Sequence, residues 1–295
     1  MSRALALALL TACAPRGGGP AALPAGATLT ALPGGHAHGL SDLVVLPDGQ
    51  AWAVAERPAA LQRLALAGAP PAPQPVRGLP VGVEPEALAP AADGGWWLGT
   101  EGEGEREDDL IARVRDEDGA LTVDLDASLR LSWSQFGLRA PDNKGVEGLC
   151  AQGEALIAVG EPVADGPTGR RAPLARWQGG AWSTGWVPLQ TSAGKLSAVA
   201  CDPDGGLWLI ERHYADLALL RVDPGFTLTP AGAPPAALTA RRCGPDPAWA
   251  QATADAQINW EGLAVDGDQL RWLSDNQQSA VTGPSMSGLT DRRCD

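Results

Sequence analysis

The run SDLVVLPDGQAWAVAE, from Ser41 to Glu56, holds an apolar stretch, a tight Asp-Gly turn, a second apolar stretch and a closing acid. The phrase returns as EALAPAADGGWWLGTE (Glu86 to Glu101), EGLCAQGEALIAVGE (Glu147 to Glu161), SAVACDPDGGLWLIER (Ser197 to Arg212) and EGLAVDGDQLRWLSD (Glu261 to Asp275). Each copy reads as two short strands whose turn uses glycine for the positive φ of a tight hairpin. Isolated hairpins are marginal in water, so these are the inner parts of larger sheets. A hairpin unit recurring every 45 to 60 residues or so predicts a radial all-β array, a propeller, in which each unit buries its faces against its neighbours.

Outer strand pairs are visible at Leu110 to Arg115 with Ala120 to Asp126, and at Ala172 to Gln178 with Ala181 to Leu189. Four strands in each of five units account for one domain over residues 27–295. The sequence leaves five or six blades open, because Pro224 to Ile258 is long, although its Pro-Ala-rich middle reads as loop. Ala27 to Leu32 (ATLTAL) is strand-like and precedes the first unit, while the fifth unit lacks strands at its end. Pairing the two closes the ring and removes two exposed edges.

At the N-terminus, Arg3, the apolar run Ala4 to Leu10 and the segment Leu10-Thr11-Ala12-Cys13 resemble a bacterial lipoprotein signal. Residues 1–12 are then a signal peptide, Cys13 the lipidated residue and residues 13–26 a flexible tether. This places the mature domain in the bacterial cell envelope, on the periplasmic or outer-membrane side, held to the membrane by its lipid alone. Disulfides persist there. Cys150 and Cys201 end inner strands of neighbouring units, and Cys294 lies beside the C-terminus, so Cys150 with Cys201 and Cys243 with Cys294 is the favoured pairing among three.

The chain carries 35 acidic and 22 basic residues, a net charge of −13. Such a surface repels nucleic acid and anionic lipid. No nucleophile elbow, zinc-protease helix, phosphate-binding loop or EF-hand pattern is present. Carboxylates are the better lead. Aligned, the units place Glu86, Glu147 and Glu261 at the start of the inner strand, and Glu56, Glu101, Glu161 and Asp275 at the end of the second strand. Neighbouring strands run antiparallel, so both sets fall at one edge, around one mouth of the central channel. Arg212 stands in the same register, with Lys144 and His213 nearby. Two readings stay open: the seven acids hold a hard cation such as Ca²⁺, or they cap strands and pair with Arg212 and Lys144.

Three phrases carry a family resemblance: Asn143-Lys144-Gly145-Val146-Glu147-Gly148-Leu149, Leu209-Ile210-Glu211-Arg212, and Asn259-Trp260-Glu261-Gly262-Leu263-Ala264 followed by Leu273-Ser274-Asp275-Asn276. They resemble the N-x-G-x-E-G-L, L-x-E-R and N-x-E-G-x-A … S-D-N phrases of the phytase-like propeller proteins, the bacterial family described as having esterase-like activity of phytase. The resemblance implies an extracytoplasmic propeller that hydrolyses phosphoric esters at the channel mouth. Calcium would be held among the seven acids. Arg212, Lys144, His213 and Glu211 would act on the phosphate, and Asn143, Asn259 and Asn276 would bind substrate or orient water. A monomer with a small-molecule ligand is expected. Two other classes remain open on the same residues: an envelope propeller that binds a ligand or protein without chemistry, and a calcium-dependent lactone or ester hydrolase.

Overall fold

The computed structural model describes residues 27–213, 216–246, 249–251, 254, 258–275, 285–292 and 294. The expectations for the signal, Cys13, the tether and Asn276 fall outside the described residues. The chain is an all-β propeller whose units are antiparallel sheets, the outer strands of the first two, Gln74–Arg77 and Ala120–Ser132, pairing in parallel. From the axis outward, the first unit holds Leu40–Val45, Ala51–Ala55, Ala60–Arg63 and Gln74–Arg77; the second holds Val83–Pro90, Trp96–Gly102, Asp108–Glu117 and Ala120–Ser132. The third holds Val146–Gln152, Ala155–Gly160, Gly169–Gln178 and Ala181–Pro188, and the fourth Lys195–Cys201, Leu207–His213, Asp216–Val222 and Arg241–Gly244. The fifth holds Asn259–Asp266, Gln269–Asp275 and Met286–Asp291, and its outermost strand is the N-terminal Thr28–Ala31, in antiparallel register Thr28 to Leu289 and Ala31 to Met286. The early strand therefore closes the ring.

Turn chemistry accounts for the hairpins. In the first, second and fourth units Gly49, Gly94 and Gly205 take positive φ and donate their N–H to Leu46, Ala91 and Asp202, so the three Asp-Gly phrases make one turn. Packing accounts for the ring. Apolar side chains on facing sheets form five clusters, one between each pair of sequence neighbours and one between the fifth unit and the first: Leu40, Leu43, Ala53 and Ala55 meet Ala264 and Leu273 there. The inner strands approach closely, which demands small residues. A Cβ on Gly148 would lie 2.7 Å from Val199 N, and one on Gly262 would lie 2.9 Å from the Asp42 carbonyl carbon.

Residues 224–258 depart from a plain loop. Thr229–Pro230 and Ala236–Ala237 line the outer edge of the third unit, and Arg241–Gly244 completes the fourth. A proline is tolerated at such an edge, where its missing N–H breaks no ladder. Trp249 is buried and stacks on Trp260 at 5.6 Å between ring centroids. A 3₁₀ turn at Trp133–Phe136, which the hairpin repeat does not predict, inserts Trp133 against the core, its Nε1 donating to Asp109 Oδ2 at 2.8 Å. The disulfides join Cys150 to Cys201 and Cys243 to Cys294, the favoured pairing. Each closes a 51-residue separation, and a loop of that length restrains the unfolded chain by about 4 kcal/mol in the chain-entropy account.

Candidate functional site

Every inner strand carries a β-bulge at the same place. The ladder passes from Pro85 to Ala87, from Val146 to Gly148, from Leu196 to Ala198 and from Trp260 to Gly262, leaving Glu86, Glu147, Ser197 and Glu261 as the extra residues. In the first unit the break lies between Ser41 and Val44. A bulge bends its strand and re-aims the extra side chain. The simple hairpin rule puts Glu86 opposite Glu101. The ladder instead pairs Glu84 with Glu101, Lys195 with Arg212 and Asn259 with Asp275.

The bulges gather carboxylates in three groups, two of them sharing Glu56: Glu56 with Glu84 and Glu86, Glu56 with Glu261 and Asp275, and Glu101 with Glu147 and Glu161, each with one oxygen per residue within 4.8 Å of the others. Cations meet only some of them. Lys144 Nζ lies 2.7 Å from Glu161 Oε2, and Lys195 pairs with the other oxygen of Glu161. Arg212 pairs with Glu261, to which Asn259 Nδ2 also donates at 2.8 Å, and Arg57 Nε donates to Glu84 at 2.6 Å. Ser41 Oγ donates to Glu56 at 2.8 Å. Among the described residues no cation forms an ion pair with Glu86, Glu101 or Glu147.

The imbalance is legible in their acidity. Burial, then the charges of Glu56, Glu147, Glu101 and Glu261, pushes Glu86 well above the ordinary glutamate range. Burial, joined by Glu84 and Glu56, raises Glu101 to about 7. Burial and Glu101 raise Glu147 to about 8 against the pull of Lys195. Burial, joined by the charges of Arg212 and Lys144, outweighs the pull of Glu147 at Lys195 and lowers it to about 8. Like charges out of water raise one another in this way unless something compensates.

Beside Glu101 opens a polar cleft of about 580 Å³, lined also by Arg57, Glu84, Glu103, Asp142 and Asn143. Asn143 has φ +53° and donates its N–H to Gly102 at 3.3 Å. Arg106 secures the next residue by donating to the Lys144 carbonyl at 2.6 Å, which sets Lys144 over Glu161.

The structure thus brings together all seven expected acids with Arg212, Lys144 and Asn259, and sets Asn143 on the cleft wall. Glu211 goes elsewhere. It is fully buried, and its carboxylate accepts from Gln190 N–H (2.7 Å), Thr191 N–H (2.8 Å) and Thr191 Oγ1 (2.6 Å), anchoring the loop before the fourth inner strand. His213 ends its strand in register with Asp216. Three residues of the site are new: Glu84, Lys195 and Asp42. Asp42 is fully buried with φ +48°, and burial pushes its pKa well above the ordinary aspartate range against the pull of three backbone N–H groups.

A family model described as phytase-like, esterase-like activity of phytase, matches residues 38–278. No curated protein matches the chain. Among solved structures, the chain is similar to the PQQ-bound aldose sugar dehydrogenase of Streptomyces coelicolor at 13% identity and TM-score 0.46, covering 91% of this chain and 99% of that one. It is similar to a catalytically inactive virginiamycin B lyase of Staphylococcus aureus with quinupristin at 13% identity and TM-score 0.44, covering 90% and 99%. The calcium structure of a Trichoderma reesei carbohydrate-active enzyme of family AA12 matches at 10% identity and TM-score 0.45, covering 91% and 97%.

Proposed function

Because the chain belongs to the phytase-like family, esterase-like activity of phytase, we propose that it is an extracytoplasmic, calcium-dependent phosphoric-ester hydrolase working where the acids meet the cleft. One observation carries the cation: Glu147 is only 8% exposed, lies within 4.8 Å of Glu101 and Glu161, and accepts no hydrogen bond among the described residues. The donors fit a hard ion. All are carboxylate oxygens, and a spread of 4.8 Å is about twice a Ca–O bond. Glu101 and Glu147 would hold it, with Glu161 completing their group and Glu86 beside Glu101, while Glu84 and Glu261 are left to their cations. When bound, such an ion neutralises phosphate charge and acidifies a coordinated water.

The remaining work falls to the chain's own groups. Asn143 lines the cleft and Lys144 follows it in the chain; they would bind phosphate oxygens as neutral and charge-assisted donors. Lys195, titrating near 8, is suited to give a proton to the departing alkoxide. The two disulfides fit an oxidising compartment. Among the described residues no helix is long and apolar enough to cross a membrane. A second reading, a propeller that binds a ligand without chemistry, is favoured by one fact: Arg212, Lys144 and Arg57 already sit in ion pairs.

The two readings separate on turnover. Calcium-dependent release of phosphate from an aryl phosphate should fall at least roughly tenfold in Glu147→Gln, since changing even the partners behind an ion's ligands costs about 10- to 100-fold. A calcium-binding protein with no turnover on such esters would leave only the binding reading.

A further inference from the structure

The innermost strand of each unit presents an unpaired edge to the axis, and its inward N–H groups need acceptors. Asp42 supplies them for three units at once. Its Oδ1 accepts from Leu43 N–H at 2.8 Å; its Oδ2 accepts from Leu88 N–H at 2.8 Å and from Leu149 N–H at 3.2 Å. The equivalent positions in the other units are Ala87, Gly148, Ala198 and Gly262, all too small to reach across. A left-handed, fully buried aspartate is a costly choice for mere filling. Its two long-range partners are informative: Leu88 follows Glu86 by two residues and Leu149 follows Glu147 by two, each just past its bulge.

We infer that Asp42 is the positioning residue of the acid site, a single carboxylate that clamps the second and third inner strands at the axis and so fixes the spacing of Glu86 and Glu147. The inference rests on the cation reading above for its function, though not for its geometry. One oxygen shared by two amides ties the two bulges to a common point. Without it the strands keep their sheets but lose their mutual register at the site. Such groups tune the ion through its ligands rather than by touching it.

The test compares Asp42→Asn, which keeps the shape and one carbonyl acceptor, with Leu220→Ala, a core truncation in the cluster between the third and fourth units. Calorimetric titration with Ca²⁺ and Mg²⁺ should show Asp42→Asn binding Ca²⁺ roughly 10- to 100-fold more weakly with a narrowed preference over Mg²⁺. Leu220→Ala should melt lower yet keep the affinity and preference of the unaltered protein. Ion affinity that tracks melting temperature in both variants would overturn the inference, because a purely structural role predicts that. A crystal structure of metal-free Asp42→Asn provides the second arm: Glu86 and Glu147 should be displaced, and their unchanged positions would refute the clamp. If the unaltered protein binds neither ion, the cation reading fails and the crystal structure alone decides Asp42. If Asp42→Asn does not fold, calcium added to the unaltered protein should shift the Leu88 and Leu149 amide resonances, and unmoved resonances would count against the clamp.

Discussion

Metal-free protein should lose stability steadily as pH rises from about 4.5 to 8. Glu147 titrates at 4.5 when unfolded and at about 8 when folded, Glu101 at about 7, and Glu86 is raised in the same direction. Between those values the folded state binds more protons than the unfolded state, so stability is fully present at the acid end and is withdrawn as pH climbs through the folded values. Lys195 works in a different window. Lowered from 10.5 to about 8, it penalises the fold below pH 8 and adds no slope beneath it. The acids are coupled, so their joint effect is of the order of 4 kcal/mol over the window, a fall of roughly 10 °C in melting temperature for a domain of this size. Calcium should erase the slope, since an ion held by carboxylates competes with their protons and binds better as pH rises. Thermal melts of chelator-treated protein from pH 5 to 8.5 measure this. A melting temperature that is flat or rises over that range would contradict the account of the acids.

Removing the closing strand, residues 27–32, should be nearly as damaging. Thr28–Ala31 covers the outer edge of Met286–Asp291, Leu32 is buried, and Leu29 packs against the cluster between the fourth and fifth units. Losing buried Leu32 alone costs about 1.5 to 3 kcal/mol, before the half-buried Leu29 and the lost ladder bonds are added. The bared edge also becomes a template for another chain. The truncated protein should melt at least roughly 10 °C lower and sediment as higher species. A monomer with an unshifted melt would show that the strand does not hold the ring.

Much of this was legible because repeats can be laid over one another. Asp48-Gly49, Asp93-Gly94 and Asp204-Gly205 mark three copies of one turn, and the same overlay puts Cys150 and Cys201 on neighbouring inner strands. The acids' shared location also follows from the overlay. Their arrangement does not, because a bulge leaves no mark in a single sequence. A continuous ladder hides Glu84 and Lys195 two residues upstream of the expected ring positions, where the extra residue in fact brings them opposite Glu101 and Arg212. Asp42 reads as a polar break in an apolar run, and its partners lie 46 and 107 residues away. Glu211 was separable in principle: adjacent strand residues face opposite ways, so Glu211 and Arg212 do not both point to the ring.

The central claim is that Glu147 and its neighbours hold a hard cation, and a calcium titration of the metal-free protein's melt at pH 8 tests it most directly. At a hundred times the dissociation constant the ion should add about 2.7 kcal/mol, and Glu147→Gln should lose that response while melting no lower than the unaltered metal-free protein. A melt indifferent to both chelator and added calcium would contradict it.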